Sequence, residues 1–104
     1  LEQVRAVREH TAPVSVLAPV SGASIRIVDV GLDHESTDPH HVRRGSGRID
    51  REDALTAEET ERAFAAGRAV VDEEVDGGAD LLVPASLGVG ATTAASTLVS
   101  ALSG

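Results

Sequence analysis

A chain of 104 residues has room for one small domain built round one core. Seventeen acidic against nine basic residues leave a net charge of −8, which excludes nucleic acid and an anionic membrane surface as partners. The absence of cysteine excludes a disulfide framework and thiolate chemistry, and no apolar run approaches the roughly 18 residues of a membrane span. No signal-peptide pattern opens the chain, so a cytoplasmic protein is expected.

Leu1, Val4 and Val7, with charged residues between them, read as the tail of an amphipathic helix. The next segment, Val14-Ser15-Val16-Leu17, is ambiguous. Its alternation suits a strand, whereas Thr11 as N-cap and Pro13 in the first turn suit a helix. Ile25 to Val30 is rich in β-branched residues and ends at Gly31, which predicts a strand. Asp29 at its end can hold a ribose hydroxyl or cap the following turn.

Residues 32–55 carry no periodic pattern, and a connection of that length is expected to be mobile or functional. His34, His40 and His41 stand there among Asp33, Glu35 and Asp38, but without helical spacing or cysteine the stretch reads as a solvated loop and no metal is expected. Arg43, Arg44 and Arg48 flank Gly45-Ser46-Gly47, and Arg44 is a candidate anion contact because its planar fork suits phosphate or carboxylate.

Thr56 followed by Glu59 is a capping box, with Glu58, Glu59 and Glu61 suited to the positive end of a helix dipole. Ala63, Phe64, Gly67, Val70, Val71 and Val75 continue at helical spacing until Gly77-Gly78, which predicts a helix over 56–75. Phe64 is the one aromatic residue of the chain, so the core falls to small aliphatic side chains and marginal stability is expected. Leu81 to Pro84 is apolar without alternation, as a strand buried on both faces would be. Strand, helix and parallel strand together predict a right-handed βαβ unit in a three-layer, Rossmann-like α/β domain over 1–104, with a mostly parallel sheet.

The last segment carries the most information. Gly88-Val89-Gly90 follows the apolar run, and Ala91-Thr92-Thr93-Ala94-Ala95-Ser96 begins a helix. Glycine at a turn lets backbone approach a ligand, and unpaired N–H groups at a helix start favour an anion. A phosphate cradle at Gly88, Val89 and Gly90, with a hydroxyl from Thr92 or Thr93, is one reading. A tight turn with close packing is the other, since a Gly-x-Gly lacks the longer dinucleotide and Walker spacings.

Gly88 to Ser96 resembles the Gly-Ile-Gly-Asn-Thr-Thr loop of nicotinate-nucleotide–dimethylbenzimidazole phosphoribosyltransferases, enzymes of cobalamin lower-ligand synthesis. Val28-Asp29-Val30-Gly31, Arg44-Gly45-Ser46 and Leu55-Thr56-x-Glu58-Glu59 resemble further motifs of that family, in its order along the whole chain. Where the family has Gly-Glu-Met-Gly this chain has Ala85, Ser86, Leu87 and Gly88, so Ser86 replaces an acidic residue, and Ala91 replaces the loop asparagine. The resemblance places a helix over the segment before Ala18, with Pro19 past its end. It implies phosphoribosyl transfer from nicotinate mononucleotide to an azole base, with Leu87 near that base, no cofactor, and a homodimer. It also implies a fragment of a longer transferase whose catalytic glutamate lies outside these residues, leaving no catalytic residue here. A divergent nucleotide-binding domain without transferase activity, and a non-catalytic fragment acting through oligomer contacts, are the alternatives.

Overall fold

In the computed structural model, which describes residues 2–104, the chain forms four helices: α1 (Glu2–Arg8), α2 (Pro13–Val20), α3 (Ala57–Asp76) and α4 (Ala91–Ser103). It divides into two compact units, one made of residues up to Ile25 together with Pro84–Gly104, the other of Arg26–Val83. Leu1, read as part of the first apolar stripe, lies outside the described residues.

In the first unit α1 packs on α2, and Val4 and Val7 of α1 are buried within the chain. His10 closes α1 in the left-handed region at φ 57°, a conformation that costs a residue with a Cβ about 1 kcal/mol or more. Thr11 was expected to cap α2. Instead its N–H and hydroxyl both turn back to the Ala6 carbonyl, at 2.9 and 3.2 Å, and finish α1. Ala12 is the N-cap of α2, Pro13 stands in the first turn where a missing N–H costs nothing, and the buried Ser15 donates its hydroxyl to Ala12 O at 2.7 Å. The helical reading of this segment holds, but the helix runs through Pro19 to Val20. Ser21 then closes it through N–H and hydroxyl bonds to the Ala18 carbonyl.

In the second unit α3 starts as its capping box dictates. Thr56 Oγ1 accepts from Glu59 N–H at 3.1 Å and a Glu59 carboxylate oxygen accepts from Thr56 N–H at 2.9 Å. Gly77 and Gly78 end it, Gly78 at φ 98° with its N–H on Val75 O. The helix does not bury its larger apolar residues. Phe64, Val71 and Val75 are exposed, while Ala66 is buried and Ala63, Ala69 and Val70 are half-buried.

The sheet is absent. Among the described residues there is no β-strand, so the Rossmann-like α/β fold with a mostly parallel sheet is corrected to a helical chain with extended connections. Ile25–Val30 and Leu81–Pro84 are non-helical, but a strand exists only through a neighbour's hydrogen bonds. Val42 N–H reaches Val30 O at 3.0 Å and no ladder continues from it. Leu81 and Val83 are 82% and 84% exposed, the reverse of a strand buried on both faces.

Candidate functional site

Two places gather the residues singled out above. In the first unit, Gly90 adopts φ 79° and is the N-cap of α4, which begins at once with Ala91. Glycine is needed here because left-handed backbone strains a side chain, above all a β-branched one. Ala91 N–H lies 3.5 Å from Gly88 O, and Ala94 N–H closes the first turn on Gly90 O. Among the described residues neither Gly88 N–H nor Gly90 N–H donates within the chain, and the space a Cβ would take at either glycine is open for 4 Å. The Thr92 and Thr93 hydroxyls are likewise without partners among the described residues. They begin a polar stripe with Ser96, Thr97 and Ser100 that lines a shallow open groove along α4. Ser86, Leu87 and Val89 are exposed. Donors unpaired at a helix start make an anion-accepting surface.

The second place, within Arg26–Val83, is centred on Asp29. Its carboxylate is buried and accepts from Gly31 N–H at 3.1 Å and Leu32 N–H at 2.9 Å, which is the turn-capping role. His34 Nε2 lies 3.1 Å from Asp29 Oδ2, and His41 Nδ1 lies 3.2 Å from Oδ1. These are ion-pair distances, but the rings are out of line for hydrogen bonds, and Asp29 Oδ2 and both His41 nitrogens lack hydrogen-bond partners. Each imidazole faces a different carboxylate oxygen, so the carboxylate itself fills the centre, and among the described residues no three ligands converge on a metal. Burial raises the Asp29 pKa. Hydrogen bonding from Leu32 N–H, with the Ser36 hydroxyl and His41 close by, outweighs burial and leaves the group lowered to about 2.

Asp38 completes the loop. Its carboxylate accepts from Asp29 N–H and His40 N–H, both at 2.9 Å, and those bonds hold its pKa below the usual carboxylate range. The segment expected to be mobile is thus cross-linked. Gly45 N–H bonds Gly31 O, Gly47 N–H bonds Ala54 O, and Arg43 pairs with Glu59 at 3.1 Å. Arg26 reaches both Glu73 and Glu74 on α3. Arg44, the candidate anion contact, sits in an exposed pair with Asp33 at 3.3 Å, and Arg48 pairs with Asp50. Sequence reasoning missed the pairing of His34 and His41 with Asp29. Their spacing of five and twelve residues from it carries no helical or strand period.

Comparison with known proteins agrees with the motifs. A family profile described as Phosphoribosyltransferase matches residues 1–104. A protein of Mycolicibacterium paratuberculosis named nicotinate-nucleotide–dimethylbenzimidazole phosphoribosyltransferase is 56% identical over 95 residues, 88% of this chain and 27% of that protein. Proteins of the same name from Streptomyces coelicolor and Corynebacterium efficiens are 56% and 46% identical, over 99% and 95% of this chain and 30% and 27% of their own lengths. The chain therefore spans under a third of the curated relatives it matches. No solved structure matches it.

Proposed function

The chain belongs to the phosphoribosyltransferase family, and from that premise we propose that the whole protein carrying it transfers the phosphoribosyl group of nicotinate mononucleotide to dimethylbenzimidazole, this chain supplying the phosphate-binding turn. The observation that carries the reading is the start of α4 directly behind Gly90, with the N–H groups of Gly88 and Gly90 undonated in front of it. A 5′-phosphate seated there meets backbone donors, the positive end of the helix dipole, and the hydroxyl of Thr92 or Thr93. Holding the phosphate fixes the ribose, so that the azole nitrogen attacks an oxocarbenium-like carbon as nicotinate leaves. The azole proton then passes to a carboxylate base, a role for which Ser86 is unsuited because an unactivated hydroxyl is a poor base at neutral pH. Leu87 lies next to the turn in sequence, and the family resemblance puts it near the base. Asp29 and Arg44 belong to the other unit and are engaged there, Asp29 in its turn and Arg44 in its pair with Asp33, so neither carries this reading. A cytoplasmic homodimer belongs to the same reading, with the exposed Leu98, Val99 and Leu102 of α4 as its apolar contact.

The substitutions at Ser86 and Ala91 favour one second reading, a divergent domain that binds the nucleotide without transferring it. Calorimetric titration with nicotinate mononucleotide, followed by a nicotinate-release assay with and without dimethylbenzimidazole, separates the two. Release that depends on the base is the expected result. Binding without release would leave the second reading, and failure to bind would reduce the turn to a packing device.

A further inference from the structure

The α3 helix is apolar on two opposite sides. At about 3.6 residues per turn, Phe64, Val71 and Val75 fall in one stripe, and Ala66 falls on the far side of the helix. The Ala66 side meets the helix's own unit, Ala66 being buried there with Ala63, Ala69 and Val70 half-buried beside it. The larger side chains lie on the other side. Phe64, the one aromatic residue of the chain, is 63% exposed, and Val71 and Val75 are exposed with it. Gly67, three residues after Phe64 and four before Val71, lies beside this stripe. The space a Cβ would take at Gly67 is open for 4 Å. A glycine inside a helix lowers its stability relative to alanine, and no neighbouring atom requires one here. What glycine does offer is close approach to another backbone.

We propose that the Phe64, Gly67, Val71 and Val75 face of α3 is a docking surface, covered in the whole protein by an apolar element of the same polypeptide from outside these 104 residues. A helix apolar on opposite sides suits a place between two partners, and its own unit covers only one of them. The relatives indicate the source of the second. They match this chain over 27% and 30% of their lengths, so more than two-thirds of each polypeptide lies outside the match. A longer polypeptide buries a larger share of its surface, and an exposed aromatic stripe beside an open glycine is a place where that burial can happen. A partner on the same polypeptide is also present at high effective concentration. A second copy is the weaker occupant, because its apolar contact is already assigned to α4. The face depends on the chain being part of a longer polypeptide and not on transfer chemistry, so failure of nucleotide binding leaves it intact.

The test measures this face in the whole protein. Phe64→Cys, Val71→Cys and, as an exposed control elsewhere on α3, Glu58→Cys are made singly, and maleimide labelling is read by mass spectrometry of the labelled peptide. These 104 residues contain no cysteine of their own to compete. Labelling at positions 64 and 71 should be roughly tenfold slower than at 58, or slower still, and should stay so on dilution. Gly67→Leu should lower the thermal midpoint although leucine is the better helix former, because its side chain meets the covering element. Equal labelling at the three positions, a midpoint kept or raised by Gly67→Leu, or a natural polypeptide no longer than this chain each overturns the proposal. Protection lost on dilution would assign the face to a second copy and overturn it equally. Hydroxyl-radical oxidation of Phe64 in the unaltered whole protein reads the same exposure without any substitution, and slow oxidation is the expected result.

Discussion

Gly90→Val weakens nicotinate mononucleotide binding by well over tenfold, at least about 1.4 kcal/mol. Two effects combine in that number. Gly90 stands at φ 79°, where valine is strained, so the N-terminal turn of α4 shifts and its donors lose their aim. The new side chain also enters space that is open in the free chain, with no atom within 4 Å of a Cβ, which is the space a phosphate would use. Gly88→Ala separates the effects, because Gly88 is not in the left-handed region and its Cβ position is equally open. Its methyl leaves the backbone unstrained and hinders only a ligand that comes close. Calorimetric titration of both variants should show a clear loss for Gly88→Ala and a larger one for Gly90→Val. Unchanged affinity in both would end the phosphate-cradle reading, while a loss confined to Gly90→Val would assign the effect to helix distortion alone.

Asp29→Ala destabilises the Arg26–Val83 unit by about 3 kcal/mol, because it leaves two backbone N–H groups without their acceptor and two imidazoles without the carboxylate they face. The same carboxylate gives the unit a pH signature. Its folded pKa, about 2, lies below the ordinary value of 3.8. The stability it contributes is therefore fully present above pH 4 and is lost as pH falls from about 4 towards 2, on the order of 2 kcal/mol in all. Urea midpoints measured at intervals between pH 5 and pH 2 should fall in the native chain. Asp29→Asn should start lower and fall less over the same range. Parallel curves for the two proteins would mean that Asp29 is not the group whose protonation loosens the unit.

The contrast between α3 and the missing sheet shows which interactions a sequence displays. A capping box joins residues three apart, and Thr56 and Glu59 meet as their spacing requires whatever surrounds them. The extended runs 25–30 and 81–84 have suitable composition, but strand formation depends on what lies alongside, and composition does not carry that information. The same limit applies to side chains. Asp29 was legible as a turn former because its partners are two and three residues away, whereas His34 and His41 reach it through the path of the loop. Thr11 shows a subtler failure, since one residue stood between two helix ends and served the earlier one. At the candidate site, the glycine turn and the onset of α4 were readable, because both rest on residues adjacent in the chain.

Among the described residues, Val4, Val7 and Ala66 are the apolar residues that are buried, and none of them completely. The increment in heat capacity on unfolding comes chiefly from apolar surface newly wetted, at about 0.45 cal/K/mol per Å². A chain that hides so little has little to wet, so its heat-capacity step in a calorimetric scan is small and its curve of free energy against temperature is flat. The 104 residues on their own should therefore lose structure over a wide span of temperature, without a sharp endotherm.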